Sequence, residues 1–269
     1  MNSVYSWREA PEGDFAVIGD PVKHSLSPRM HNAAYRALGL PYRYNAVQVP
    51  TGEVATALDR LASLGYRGVN VTVPHKEEVL GWATIVDPLA RQVRAANTLR
   101  LADQACINTD APGFMDTLEP YTDAPKTVLL LGAGGSARAI AVALLNSGFS
   151  LFLYNRTHSK AVALAVDLNM DPNHVRVDAD PFGVAFIVNT TSASLNNDEV
   201  PVLWDRSEPG ALAYDLMYAK EPTPFLKSAS QHGLLALDGR NLLAAQGARS
   251  FEWWLDIPAP RAVMLEAIQ

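Results

Sequence analysis

The chain has 269 residues, 48% hydrophobic and 19% charged, a globular composition that fits two modest domains and excludes a mostly disordered chain. Its 22 Lys and Arg against 28 Asp and Glu leave a formal charge of −6, so it has no overall attraction for nucleic acid or anionic lipid. A single cysteine, Cys106, excludes an intramolecular disulfide and a multi-cysteine metal site and fits a reducing compartment.

Residues 1–13 read as a polar leader of little structural value, with no apolar core of the kind a signal peptide has. Phe15 to Ile18 reads as a strand, and Ser27-Pro28 opens a helix to about Leu38, stopped by Gly39. Tyr42 to Val49 reads as a second strand, Gly52 to Leu64 as a second helix ending at Gly65, and Val69 to Val73 as a third strand. Pro74 and a helix from about Lys76 follow. This βαβαβ rhythm predicts parallel strands joined by crossover helices.

A loop near Asp110 to Gly113 leads into a second block. There Thr127 to Leu131 is an apolar strand of the buried parallel type, followed by a glycine cluster and a helix from about Ser136 to Asn146. Ser150 to Tyr154, Phe186 to Asn189 and Leu212 to Leu216 read as further strands of that sheet, and Asn241 to Gln269 as a helical tail. The uncharged run from Ala139 to Asn155 is interrupted by Asn146-Ser147-Gly148, a helix stop rather than part of a membrane span. The expectation is an α/β protein in the cytoplasm with no membrane or nucleic-acid partner.

Gly132-x-Gly134-x-x-Ala137 lies directly after a strand and opens a helix, the arrangement that binds a dinucleotide. The first glycine permits the tight turn, the second admits the pyrophosphate, and the small third residue lets helix and sheet pack. NAD-binding versions carry an acid after the next strand; this chain has Asn155-Arg156-Thr157, with Lys160 just beyond. A guanidinium pairs with a 2′-phosphate, and a hydrogen bond to a charged group is worth roughly 1.5–3 kcal/mol, about 10- to 150-fold in preference for NADP. NADP is the expected cofactor.

In the first block, Ser27 has a structural explanation as helix N-cap and Ser25 has none. The pair would hold a carboxylate beside a helix N-terminus. Asn70 and Thr72 share one face of a strand otherwise made of valines. Lys76 falls where a first helical turn favours an acid, and a macrodipole there would favour loss of its proton. Asn97-Thr98 and Asn108-Thr109-Asp110 each stand at the end of an apolar stretch, where a parallel sheet places its ligand crevice. Asp110 would either cap the following helix or pair with Lys76. The six histidines lack metal-ligand spacing, so no metal site is expected. Met217, Met264, Phe251, Trp253 and Trp254 read as packing.

Together, HSLSP at 24–28, NVTVPHK at 70–76, ANT at 96–98, NTD at 108–110, GAGGSA at 132–137, NRT at 155–157 and DLMY at 215–218, then Asp238, Gly239 and Gln246, resemble the shikimate dehydrogenase family from Phe15 onward. The chain departs from that pattern at Ala95, Cys106, Ser194 and Arg240-Asn241. The resemblance implies reversible reduction of 3-dehydroshikimate to shikimate with NADPH, with Lys76 and Asp110 as the catalytic pair. It implies Ser25, Ser27, Asn70, Thr72, Asn97, Tyr218 and Gln246 as further substrate-binding residues. Gly132, Ala133, Gly134, Gly135, Ser136, Ala137, Asn155, Arg156, Thr157, Lys160, Thr191, Ser192, Leu216 and Gly239 would bind the cofactor.

The fold implied is a substrate domain of 1–112 plus 240–269 and a Rossmann-like NADP domain of 113–239, acting as monomer or homodimer on a small molecule. Two other functions fit these residues: an NAD-preferring quinate/shikimate dehydrogenase, against which Arg156 argues, and a non-catalytic NADP-sensing module, which needs neither Lys76 nor Asp110.

Overall fold

A computed structural model describes residues 4–121, 125–191, 193 and 198–269. The chain divides into two units, Met1–Gly113 with Leu243–Gln269, and Phe114–Leu242.

The first unit contains β1 (Val4–Ser6), β2 (Phe15–Gly19), α1 (Ser27–Ala37), β3 (Tyr44–Gln48), α2 (Val54–Ser63), β4 (Gly68–Val71), β5 (Ile85–Val86), α3 (Pro88–Val93), β6 (Thr98–Arg100) and β7 (Ala105–Ile107). It also holds the start of α4 (Asp110–Leu118), most of α8 (Arg240–Leu255), and α9 (Arg261–Glu266). Its seven strands run β1-β3-β2-β4-β6-β7-β5. All pairs are parallel except those of β6, which is antiparallel to both β4 and β7. The sheet is covered on both faces, which is why β2 is apolar throughout. Ala16 and Ile18 pack with Leu58 and Leu61 of α2 on one face. Phe15 and Val17 pack with Met30 and Tyr35 of α1 and with Phe251 and Met264 of the C-terminal helices on the other.

Three expectations are corrected here. The leader is structured: Val4 pairs with Ala46, and Trp7 is buried with its indole N–H donating to Glu53 at 2.6 Å. Its few apolar side chains extend the sheet and cover its edge. No α-helix starts at Lys76. The strand stops at Val71, turns occupy 73–77, and only a short 3₁₀ segment, Glu78–Gly81, follows. His75 is fully buried and donates from Nε2 to the Val49 carbonyl at 2.7 Å, tying the segment to the sheet instead of to a helix. The helix dipole invoked for Lys76 is therefore absent. Finally, the polar ends at 97 and 108 do not both close parallel strands, because Asn97 precedes the antiparallel β6.

The second unit contains β8 (Thr127–Leu131), α5 (Gly135–Asn146), β9 (Ser150–Tyr154), α6 (His158–Asp167), β10 (Phe186–Asn189), β11 (Leu212–Asp215), α7 (Pro224–Gln231) and β12 (Leu235–Leu237). The sheet is wholly parallel, in the order β12-β11-β10-β8-β9. Val175 adds an isolated parallel bridge to Leu153 beyond β9. Counting that bridge as a vestigial strand gives the doubly wound order 3-2-1-4-5-6, with its switch point between β8 and β10. Val128 and Leu130 pack under Ile140 and Leu144 of α5, while Leu129 and Leu131 pack with Phe225 and Ala229 of α7. Among the described residues no helix is long and apolar enough to cross a membrane.

Candidate functional site

In the first unit, parallel β2, β4 and β7 end at the same edge at which the antiparallel β6 begins. That geometry collects Thr72, Asn97 and Asn108–Asp110 on one side of the sheet. Lys76 Nζ donates to Asp110 Oδ2 at 2.7 Å. The two side chains are 26% and 16% exposed, so the ion pair is reachable but sheltered. The other Asp110 oxygen accepts from Asn97 Nδ2 at 2.9 Å. Asn97 is itself oriented by the Thr109 backbone N–H, which donates to its Oδ1 at 2.7 Å. Its amide also meets Gln246 Oε1 at 3.1 Å. The Lys76 carbonyl accepts from the Ala96 N–H at 2.8 Å, which clamps the lysine segment beside β6.

Of the two roles open to Asp110, the structure gives it the lysine, because Asn108 does the capping. Asn108 Oδ1 accepts the Ala111 N–H at 3.0 Å. Its amide donates to the Ala95 carbonyl, also at 3.0 Å.

Ser27 is not the expected helix cap. Leu26 is the N-cap of α1 with no side-chain cap, and Ser25 Oγ accepts the Ser27 N–H at 3.3 Å. Ser27 is buried and its hydroxyl lies against the Tyr44 phenol. Burial, with the Tyr35 phenol adding to it, pushes the Tyr44 phenol well above its ordinary range. Thr72 is half-buried, and its hydroxyl has no hydrogen-bond partner among the described residues.

Asn70 is turned largely inward. It is 5% exposed and its amide is used inside the protein. It accepts from Tyr44 Oη at 2.7 Å and donates toward the Asn97 carbonyl, Thr98 Oγ1 and Ser250 Oγ at 3.0, 3.1 and 3.0 Å. Asn70 holds the floor of the site through these bonds. Ser250 and Tyr44, which sequence reasoning missed, belong to the same floor. Beneath them His31 stacks on Tyr44 at 4.3 Å. Burial without a partner for either ring nitrogen pushes its pKa down to about 3.

In the second unit, Gly132 has φ of +117°, and a Cβ there would run into Thr190. Gly134 is the N-cap of α5, and a Cβ on it would meet no protein atom within 4 Å. α5 has no side-chain cap, so its first N–H groups, near Gly134, Gly135 and Ser136, are not satisfied by a side chain. Ala137 is fully buried against the sheet. Beyond β9, Asn155 Nδ2 fastens the turn by donating to the Thr157 carbonyl at 2.8 Å. Arg156 and Lys160 are exposed and without an ion-pair partner among the described residues. Open space over a bare helix terminus beside unpaired cations fits a phosphate-rich nucleotide.

On the other side of the switch point, Thr191 donates its hydroxyl to Asn189 Oδ1 at 2.7 Å. A Cβ on Gly239 would run into the Leu216 carbonyl, which brings those two residues together. Tyr218 lies in the half-buried loop after β11. Ser192 and Ser194 are outside the described residues. Among the described residues no group of three His, Cys, Asp or Glu side chains is placed to hold a metal ion.

The family described as shikimate dehydrogenase substrate binding domain matches residues 17–99, and the shikimate 5′-dehydrogenase C-terminal domain matches residues 239–269. A shikimate dehydrogenase (NADP(+)) of Moorella thermoacetica is 40% identical over 275 residues, covering 95% of this chain and 92% of that protein. The crystal structure of shikimate 5-dehydrogenase from Thermus thermophilus, in complex with NADP(H) and shikimate, is similar with a TM-score of 0.87 at 35% identity, covering 94% and 97% of the two chains. The ligand-free 5-ketofructose reductase of a Gluconobacter strain is similar with a TM-score of 0.84 at 30% identity, covering 94% and 96%.

Proposed function

The chain belongs to the shikimate dehydrogenase family, and on that premise we propose that it catalyses the reversible, NADPH-dependent reduction of 3-dehydroshikimate to shikimate. The observation that carries this reading is the sheltered Lys76–Asp110 ion pair, ringed by Asn97 and Gln246.

When bound, the nucleotide supplies a hydride to the substrate's ring carbonyl. Lys76 Nζ gives a proton to the oxygen of that carbonyl as it gains negative charge, and takes one back in the oxidative direction. Positioned proton transfer of this kind contributes about 10²- to 10⁴-fold. Asp110 orients the lysine and, with Thr72, Asn97 and Gln246, binds ring hydroxyls. Ser25 and Ser27 hold the carboxylate, and Asn70 positions Asn97 and Thr98 from below.

The residues present fit NADP. The Gly132–Ala137 turn and the uncapped head of α5 receive the pyrophosphate. Asn155, Arg156, Thr157 and Lys160 receive the 2′-phosphate, and Thr191, Ser192, Leu216 and Gly239 receive the nicotinamide end. The first unit is then the substrate domain and the second the cofactor domain. With a charge of −6 and one buried thiol, the protein is read as a cytoplasmic monomer or homodimer with a small-molecule substrate.

A second reading, a reductase of another polyhydroxy ketone, draws on the resemblance to 5-ketofructose reductase. One steady-state comparison separates them, reducing 3-dehydroshikimate and 5-ketofructose with NADPH or NADH and oxidising quinate with NADP or NAD. The proposal expects the highest kcat/KM with 3-dehydroshikimate and NADPH. Turnover of 5-ketofructose alone, preference for NAD, or nucleotide binding without turnover would replace it with a rival.

A further inference from the structure

Asp215 ends β11 and is fully buried. Its Oδ1 accepts from Asn189 Nδ2 and from the Met217 backbone N–H, both at 3.1 Å, and its Oδ2 accepts from the Thr223 hydroxyl at 2.7 Å. These three partners are dipoles rather than cations. A buried carboxylate has to be held by hydrogen bonds, and each donor it holds is fixed in turn.

These bonds fix the geometry around it. Asn189 is equally buried at the end of β10, and its Oδ1 accepts both the N–H and the hydroxyl of Thr191, at 3.0 and 2.7 Å. The Met217 carbonyl accepts the Gly239 N–H at 3.2 Å, and Gly239 packs against the Leu216 carbonyl with no room for a Cβ. One carboxylate thus ties down three segments, at 190–191, 216–217 and 239, that leave β10, β11 and β12 at their carboxyl edge.

In a doubly wound sheet the dinucleotide crosses the switch point. Its adenosine half lies with the glycine turn and the residues after β9, so its other half extends over the segments after β10 and β11.

We propose that Asp215 is a positioning residue for the nicotinamide half of the nucleotide, acting through Asn189 and Met217. This rests on the NADP-dependent reading above. The test uses the full chain and two probes, NADPH and 2′,5′-ADP, the latter reaching only the adenosine side.

Asp215→Leu keeps roughly the side-chain size but leaves the Asn189 amide, the Met217 N–H and the Thr223 hydroxyl without this acceptor. It is expected to raise the Kd for NADPH about tenfold, while leaving that for 2′,5′-ADP within about twofold. The KM for 3-dehydroshikimate should hold. Thr223→Val, which removes the Oδ2 donor together with the cap that the Thr223 hydroxyl gives α7 at the Leu226 N–H, should give the same pattern at about threefold, and it decides the matter if the first variant does not fold. Unchanged NADPH binding, or equal weakening of both probes, overturns the proposal. A wild-type protein that binds neither probe would instead bring down the NADP-dependent reading.

Discussion

In the first unit the reactive amine is placed by side chains holding side chains: Lys76 by Asp110, Asp110 by Asn97, and Asn97 by Thr109 and Gln246, over a buried floor of Asn70, Thr98 and Ser250. In the second unit the corresponding surface is mostly backbone: a left-handed glycine, a bare helix terminus and an exposed arginine. The first arrangement depends on residue identity at each link. The second depends on conformation and charge. Chemistry should therefore be lost by single changes in the first unit, and affinity or cofactor choice by changes in the second.

The largest effect expected from this contrast is that of Lys76→Ala, a fall in kcat of at least about 10²-fold with the Kd for NADPH unchanged, measured by steady-state kinetics and nucleotide titration. Loss of nucleotide binding in that variant would blur the division between the units. Next in size is Arg156→Gln. Its kcat with saturating NADPH should hold, while the preference for NADPH over NADH in kcat/KM falls about 10- to 150-fold. A drop in kcat alone would assign Arg156 to the chemistry.

A smaller effect concerns acid stability, and it belongs to the first unit alone. His31 is held neutral in the folded chain at a pKa of about 3, against 6.5 in its ordinary state, so the unfolded chain takes up a proton first. Stability is whole above pH 6.5 and is lost as the pH falls toward 3, by up to about 1.4 kcal/mol per pH unit from this group. His31→Leu should cost less than about 2 kcal/mol at pH 7 and flatten that slope, as read by denaturant melts across the range. An unchanged slope would place the acid sensitivity elsewhere.

Much of this division is legible in the chain itself. The strands at 127–131, 150–154 and 186–189 show as apolar runs because a parallel sheet buried on both faces needs them. The glycine turn is legible because only glycine suits Gly132.

Other features are hidden for physical reasons. The β6–β7 hairpin is closed through Gln104 at φ +50° and an Arg100–Asp103 ion pair, with no glycine or proline to announce the turn. Pro74 and Lys76 look like the start of a helix, yet the burial of His75, a tertiary effect, pins the segment to the sheet. Ser27 is not the cap because Leu26, itself helical at φ −85° and ψ −6°, takes the N-cap place without a side-chain bond. Asn70 looks like a ligand-binding residue because an isolated polar residue in an apolar strand signals importance without saying whether it faces a ligand or a neighbour. Asp215 and Asn189 are hidden in the same way, since two strand ends separated by 26 positions meet only in the folded sheet.

The most direct test of the central claim is a double-mutant cycle on Lys76 and Asp110, reading kcat for Lys76→Ala, Asp110→Ala and the combined variant. If the carboxylate acts through the amine, the combined loss stays within about threefold of the Lys76→Ala loss. Two losses that multiply would show the residues working independently and contradict the pair.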